Sequence, residues 1–97
     1  MNALRFDWDP KKAKANLKNH GVSFEEAQST FYDEWAILYD DPDHSTDEDR
    51  FLLLGMSVQL RTLIVSHCYR ESESVIRLIS ARKAHSEEEK EYLKVRK

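Results

Sequence analysis

Three apolar runs in the second half of the chain decide the fold, and they lie within 50-RFLLLGMSVQLRTLIVSHCYRESESVIRLISAR-82. The runs are 50-RFLLLGMS-57, 61-RTLIVSHCYR-70 and 74-SVIRLISAR-82. Each is rich in large aliphatic residues, as strands of a buried sheet are. The two gaps, 58-VQL-60 and 71-ESE-73, have the length of hairpin connections. We therefore predict an antiparallel β-meander, although the first gap lacks the glycine or asparagine that tight turns prefer.

The residues before the meander predict a strand followed by a helix. In 4-LRFDWD-9 apolar and polar residues alternate, which is typical of a half-buried strand. Asp9 suits the N-cap of a helix over residues 10–20, and Pro10 suits its first position because proline has no amide hydrogen to leave unpaired. Gly21 suits the C-terminal cap, where a left-handed backbone is common.

Two further helices and one more strand complete the prediction. Ser23 and Glu26 have the spacing of a capping box and open a helix that extends to residue 32. The stretch 35-WAILYD-40 predicts a strand, and a last helix is predicted from an N-cap at Ser86, with glutamates in its first turn. The whole chain is thus predicted to be a single α+β domain, in which two N-terminal helices and a C-terminal helix pack on an antiparallel meander.

The composition is that of a small globular protein from a reducing compartment. The chain has 97 residues, 40% of them hydrophobic, and a single cysteine, so neither a disulfide framework nor a cysteine-based metal site is expected. Because the sequence has no signal-like or membrane-spanning apolar run, we expect a cytoplasmic protein that does not bind membranes. It also lacks motifs for nucleotide cofactors and metals, so we predict no cofactor.

The acidic residues are unevenly distributed along the chain. The net charge is -3, but 40-DDPDHSTDED-49 alone contains six acidic residues and no lysine or arginine. Without this segment, 15 basic residues stand against 12 acidic ones (18 − 6), a balance of +3. A polyanion-binding face is therefore compatible with the sequence if this loop points elsewhere.

Histidines and arginines are the residues that could carry chemistry. His20 ends the first predicted helix, where it either interacts with the helix C-terminus or serves as a proton donor or phosphate contact. His67, in an otherwise apolar strand, is either a core histidine bonded to a backbone carbonyl or a proton-transfer group. Arg77 interrupts an apolar strand, so it either pairs with a carboxylate of a neighbouring strand or marks an open site. The same two interpretations hold for Arg50.

The last predicted strand ends in cations. Strict alternation places Arg77 and Lys83 on one face of this strand and Arg82 on the other. Such cations suit RNA cleavage without a metal, in which a base removes a proton from a ribose 2′-hydroxyl and cations stabilise the phosphorane. The lysines of residues 11–18 are typical of the solvated face of a helix.

Three stretches resemble the BrnT family, the toxin half of a bacterial type II toxin–antitoxin pair. They are 6-FDWDPKKAKANLKNHGVSFEEAQSTF-31, 40-DDPDHSTDEDRFLLLGMS-57 and 76-IRLISARKAHSEEEKEY-92. The resemblance implies a RelE-like fold and metal-independent cleavage of RNA that arrests growth. It also implies neutralisation by a BrnA-like antitoxin with a ribbon-helix-helix domain, through which the complex would bind DNA. The alternative is a weakly catalytic module that binds the antitoxin and acts in transcriptional autoregulation of its operon.

The resemblance also implies roles for seven basic residues. Proton transfer would fall to His20 and His67, phosphate stabilisation to Arg50, Arg77 and Arg82, and RNA backbone binding to Lys18 and Lys83. Two departures from the family pattern bear on catalysis more than on the fold. The segment 86-SEEE-89 is acidic where similar proteins are more basic, and Leu60 stands where the family has a glycine in the meander turn. A standalone DNA-binding protein is the least favoured interpretation, because no recognition helix is evident and the chain is acidic overall.

Overall fold

The computed structural model describes residues 4–41, 49–72 and 74–96, so most of the predicted acidic loop lies outside the described residues. The elements in chain order are β1 (Arg5–Asp7), α1 (Pro10–His20), α2 (Phe24–Ser29) with a following 3₁₀ turn (Thr30–Tyr32), β2 (Ile37–Asp40), β3 (Phe51–Met56), β4 (Thr62–Arg70), β5 (Val75–Lys83) and α3 (Ser86–Val95). The N-cap of α3 is His85, one residue earlier than predicted, because the Glu88 carboxylate accepts the His85 amide hydrogen at 2.7 Å.

The sheet has five strands in the order β1-β5-β4-β3-β2. Strands β2 to β5 form the predicted antiparallel meander. The expectation of a wholly antiparallel sheet is wrong, since β1 pairs in parallel with β5 and the sheet is mixed. A parallel partner needs a long crossover connection. The chain between β1 and β5 is long enough for that, but β1 itself carries no sequence signal for its direction.

The helices cover both faces of the sheet, which therefore forms the middle of three layers. On one face, Val22, Phe24 and Ala27 from the α1–α2 region pack on Leu63 and Val65 of β4. On the other face, the α3 side chain of Tyr92 is fully buried against Leu54 and Ile64. The Tyr92 hydroxyl donates a hydrogen bond of 2.6 Å to Asp33, which fixes the position of the last helix.

Asn16 joins α1 to the part of β5 that extends beyond β1. Its side chain is buried and bonds the backbone of Ala81 in both directions: the amide donates to the Ala81 carbonyl at 2.9 Å, and the side-chain oxygen accepts the Ala81 amide hydrogen at 3.0 Å. The Asn16 amide also donates to the Val22 carbonyl at 2.9 Å. One side chain thus bonds three backbone groups that would otherwise be buried without partners.

A β-bulge interrupts the pairing of β4 with β5. Ser66 pairs with Ser80 and His67 pairs with Leu78, so Ile79 has no opposite residue. Because a bulge shifts the alternation by one residue, Leu78 and Ala81 both face the α1–α2 core. Their neighbours Arg77 and Arg82 therefore lie on the same face of the sheet, whereas strict alternation predicted opposite faces.

A buried ion pair ties the β3–β4 turn to α2. The Arg61 guanidinium forms a salt bridge with the Glu26 carboxylate, and its Nε donates to Glu26 Oε2 at 2.9 Å. Ser57 Oγ donates to the same carboxylate at 2.7 Å. The hydrogen bonds from Arg61, with a smaller contribution from Ser57, hold the pKa of Glu26 below its usual value despite burial. This network fixes a turn in which Leu60 adopts a left-handed backbone, with φ of 62°, in place of the glycine that such a turn prefers.

Candidate active site

A cleft of about 270 Å³ opens on the α3 side of the sheet, across β3, β4 and β5. Three of the predicted site residues line it: His20, Arg50 and Arg82. Ser66, Ser80 and Asp41 also line the cleft, and the sequence analysis had assigned no site role to any of them. Because the bulge brings Ser80 and Arg82 to this face, the site depends on an irregularity of the strand.

His20 and Arg50 reach the cleft from two different elements. His20 is the last residue of α1, is exposed, and precedes Gly21, whose φ of 68° ends the helix. Arg50 directly precedes β3, and its carbonyl accepts the Asp41 amide hydrogen at 2.9 Å, which closes the β2–β3 pair. No side chain of residues 4–41, 49–72 or 74–96 forms an ion pair with the Arg50 guanidinium.

Arg82 is held at the edge of the cleft by a carboxylate. Its two terminal nitrogens donate to the two oxygens of Glu88, each at 2.9 Å. These hydrogen bonds from Arg82, together with the bond from the His85 amide, lower the pKa of Glu88 to about 2 despite partial burial. Phosphate presents the same pair of acceptors to a guanidinium, so an RNA phosphate at this position would compete with Glu88. One local signal could have indicated this pair: Glu88 stands at the third position of α3, where a carboxylate can turn back to the strand end.

Arg77 does not line this cleft. It pairs with Asp7 of the neighbouring strand β1 at 2.7 Å, and its side chain is 31% exposed. The parallel register that sets Asp7 opposite Arg77 brings the two together. This geometry corresponds to the first of the two interpretations of Arg77, a strand cation that pairs with a carboxylate. The two predicted RNA-binding lysines, Lys18 and Lys83, are exposed and also lie outside the cleft.

His67 is fully buried on the opposite face of the sheet. Its ring stacks edge-on against Phe31, with 4.8 Å between ring centres. Nδ1 lies 3.1 Å from the Val65 carbonyl oxygen, which can only accept, so Nδ1 carries the proton. Nε2 then accepts from the Tyr69 hydroxyl at 3.3 Å. Burial lowers the pKa of His67, and the bond to Val65 opposes this only in part. The side chain is thus a neutral core histidine in this structure.

The buried His67 should make the protein sensitive to mild acid. Its pKa is lowered from 6.5 in the folded state, so the unfolded chain binds more protons below that pH and stability falls as the pH drops. We expect the free energy of unfolding to decrease as the pH falls below 6.5, by at most about 1.4 kcal/mol per pH unit. Urea denaturation across this range measures the slope. His67→Gln should flatten it, and an equal slope in that variant would contradict the assignment.

The part of the chain that the structure describes contains no helix long and apolar enough to cross a membrane. A search of curated protein sequences found no match to the chain. Among solved structures, the chain is similar to the 1.1 Å crystal structure of the Brucella abortus ribonuclease toxin BrnT, with a TM-score of 0.65 and 19% sequence identity. The similarity covers 87% of this chain and 100% of that one, and at this identity it shows a shared fold.

The family comparison identifies the chain more directly. Residues 8–88 match the family model described as the ribonuclease toxin, BrnT, of type II toxin–antitoxin systems. The match begins just after β1 and includes both N-terminal helices, the whole meander and the start of α3. It also includes the three predicted residues that line the cleft. The chain therefore belongs to the BrnT family of ribonuclease toxins.

Proposed function

We propose that the chain is a metal-independent endoribonuclease whose active site is the cleft formed by His20, Arg50 and Arg82. The observation that carries this proposal is the convergence of these three basic residues on one cleft, from α1, the start of β3 and the end of β5. Two guanidinium groups beside a histidine combine stabilisation of phosphate charge with proton transfer. The family description as a ribonuclease toxin supports the same reaction.

The cleft residues suggest a division of roles. The ribose 2′-oxygen attacks the adjacent phosphorus while its proton passes to a base, for which we assign the Asp41 carboxylate. Arg50 and Arg82 stabilise the negative charge of the phosphorane. The bond from phosphorus to the 5′-oxygen then breaks, and protonated His20 donates a proton to that oxygen. The products are a 2′,3′-cyclic phosphate and a 5′-hydroxyl, so atoms and protons balance without a co-reactant.

The proposal gives no direct chemical role to the other four predicted residues. His67 is sealed in the core, and Arg77 is engaged by Asp7. Lys18 and Lys83 are exposed outside the cleft, so they are proposed only as contacts to RNA that extends beyond it.

We also propose that RNA cleavage by this chain arrests growth and that a BrnA-like ribbon-helix-helix antitoxin neutralises it. The complex would bind DNA through the antitoxin. A second candidate function is a weakly catalytic module that serves mainly in antitoxin binding and operon autoregulation. The observation that favours this alternative is the Glu88 carboxylate, which offsets the charge of one of the two cleft arginines.

Incubation of the purified protein with total RNA, with and without EDTA, tests the proposed reaction. We expect cleavage that EDTA does not inhibit and that leaves 5′-hydroxyl ends. A double variant, Arg50→Ala with Arg82→Ala, purified in the same way, controls for contaminating ribonucleases. Induction of the chain in bacteria should stop growth, and co-expression of the protein from the adjacent reading frame should restore it. Intact RNA at high protein concentration with normal growth would instead favour the binding module.

A further inference from the structure

A second depression lies beside the cleft on the same face of the sheet. Its volume is about 430 Å³, and it shares Leu52 and Ile64 with the cleft. Its floor is apolar and consists of Tyr39, Leu52, Leu54 and Ile64. Its rim consists of the carboxylates of Asp40, Glu87, Glu88 and Glu91. We call the depression formed by these eight residues the acidic groove.

The charge of the acidic groove is unsuited to RNA. Among the residues that the structure describes, no lysine or arginine lines it. Lys90 and Lys94 approach Glu87 and Glu91 from the exposed side of α3, at 3.5 and 3.4 Å, and such exposed contacts are weak. Glu88 is already paired with Arg82, which leaves Asp40, Glu87 and Glu91 to repel a polyanion and to attract a cationic ligand.

The floor of the acidic groove is suited to apolar side chains. On the same face of the sheet, α3 already covers neighbouring surface, where Tyr92 packs on Leu54 and Ile64. The acidic groove continues this surface past the first turns of α3, where Tyr39 of the edge strand is exposed. An apolar floor next to an acidic wall matches a segment with apolar residues on one side and basic residues on the other.

We propose that the acidic groove docks a cationic amphipathic segment of a protein partner. This proposal rests on the proposed function, because that function identifies the partner as the antitoxin. Glu88 belongs to the groove rim and also holds Arg82, so the docked segment would lie directly beside the RNA cleft. Binding there would restrict the access of RNA to the cleft. A second copy of this chain is a less suitable occupant, because docking of its cationic helix α1 would be a head-to-tail contact, whereas most homodimers form a symmetric one.

NMR titration of the full chain with synthetic peptides tests the docking site without any use of RNA. The probe is an amphipathic peptide of roughly 18 residues, built from leucine and lysine, long enough to form a helix. A peptide of the same composition with a scrambled order is its control. We expect amide shift changes confined to Tyr39–Asp40, β3, β4 and the first two turns of α3, with the scrambled peptide binding more weakly and without localised changes.

A charge-matched pair of variants identifies the rim. Glu87→Gln with Glu91→Gln should weaken binding of the amphipathic peptide about fivefold, since each exposed charge contact contributes a modest amount. Glu25→Gln with Glu34→Gln changes the net charge equally at exposed positions outside the groove and should leave the affinity unchanged. The proposal would be overturned if both pairs of variants weakened binding equally, if the shift changes lay elsewhere on the surface, or if the scrambled peptide bound equally well. It would also be overturned if the chain self-associated and Glu87→Gln with Glu91→Gln abolished that self-association. Inactivity towards RNA would not, because this measurement is independent of cleavage.

Discussion

Replacing Arg50 by alanine should reduce RNA cleavage by about 10²–10³-fold, the loss expected when a preorganised donor to transition-state charge is removed. Arg50 lines the cleft and has no ion-pair partner among the described residues, and the proposed function assigns its charge to the phosphate. For the same reason the substitution should leave the free energy of unfolding nearly unchanged. Initial rates on a defined RNA, measured beside a urea denaturation curve, separate the two effects.

Arg5→Ala is the control for the loss of one arginine. Arg5 lies in the edge strand β1, is exposed, and pairs with Glu71, and neither residue lines the cleft, so cleavage should stay within about twofold of the parent rate. Arg77→Ala then distinguishes the two descriptions of the site. The family resemblance implies a large loss, whereas the pairing of Arg77 with Asp7 leads us to expect a rate near that of Arg5→Ala. A rate for Arg50→Ala that equals the control would refute the proposed cleft.

Replacing Glu26 by glutamine should lower the free energy of unfolding by about 2–3 kcal/mol. The Glu26 side chain is 2% exposed and accepts hydrogen bonds from both Arg61 and Ser57, so glutamine leaves the guanidinium without a counter-charge in a half-buried position. The expected loss depends on pH. Since the pKa of Glu26 is lowered from 4.5, its stabilising contribution is full above that pH and declines as acid protonates the carboxylate.

Glu71→Gln provides the matched comparison for the buried pair. Glu71 also pairs with an arginine, at 2.7 Å, but its side chain is 66% exposed. A surface pair of this kind contributes at most about 1 kcal/mol, so the unfolding curve should hardly move. Urea denaturation at neutral pH measures both variants. Similar values for Glu26→Gln and Glu71→Gln would show that burial does not strengthen the Arg61 contact.

Local signals predicted the helices and the meander well. Helix α1 spans residues 10–20 as expected, because its two ends are determined by residues next to it in the sequence. Asp9 accepts the Lys11 amide hydrogen at 2.9 Å, and Gly21 takes the left-handed conformation. The four meander strands follow the predicted apolar runs. The parallel pairing of β1 was missed because it joins Arg5–Asp7 to Val75–Arg77, and no local pattern specifies a partner so distant in the chain.

The candidate site was predictable only in its parts. Family resemblance named His20, Arg50 and Arg82, and the structure brings these three to one cleft. The same reasoning gave Arg77 and Arg82, which both lie in β5, the same role, so it could not predict that Arg82 lines the cleft and Arg77 does not. Their difference arises from the bulge at Ile79 and from the carboxylates opposite them, both of which depend on how neighbouring elements meet. The burial of His67 likewise depends on packing against Phe31, which no spacing in the sequence reveals.

The double hydrogen bond between Asn16 and the backbone of Ala81 has a consequence for solubility. A strand whose outer amide and carbonyl groups are unsatisfied can recruit a strand from another molecule and start aggregation. In β5 the Asn16 side chain bonds the outward-facing amide and carbonyl groups of Ala81, which lies in the part of the strand that does not pair with β1. A single polar side chain on α1 thus occupies backbone groups at which a strand of another molecule could otherwise pair.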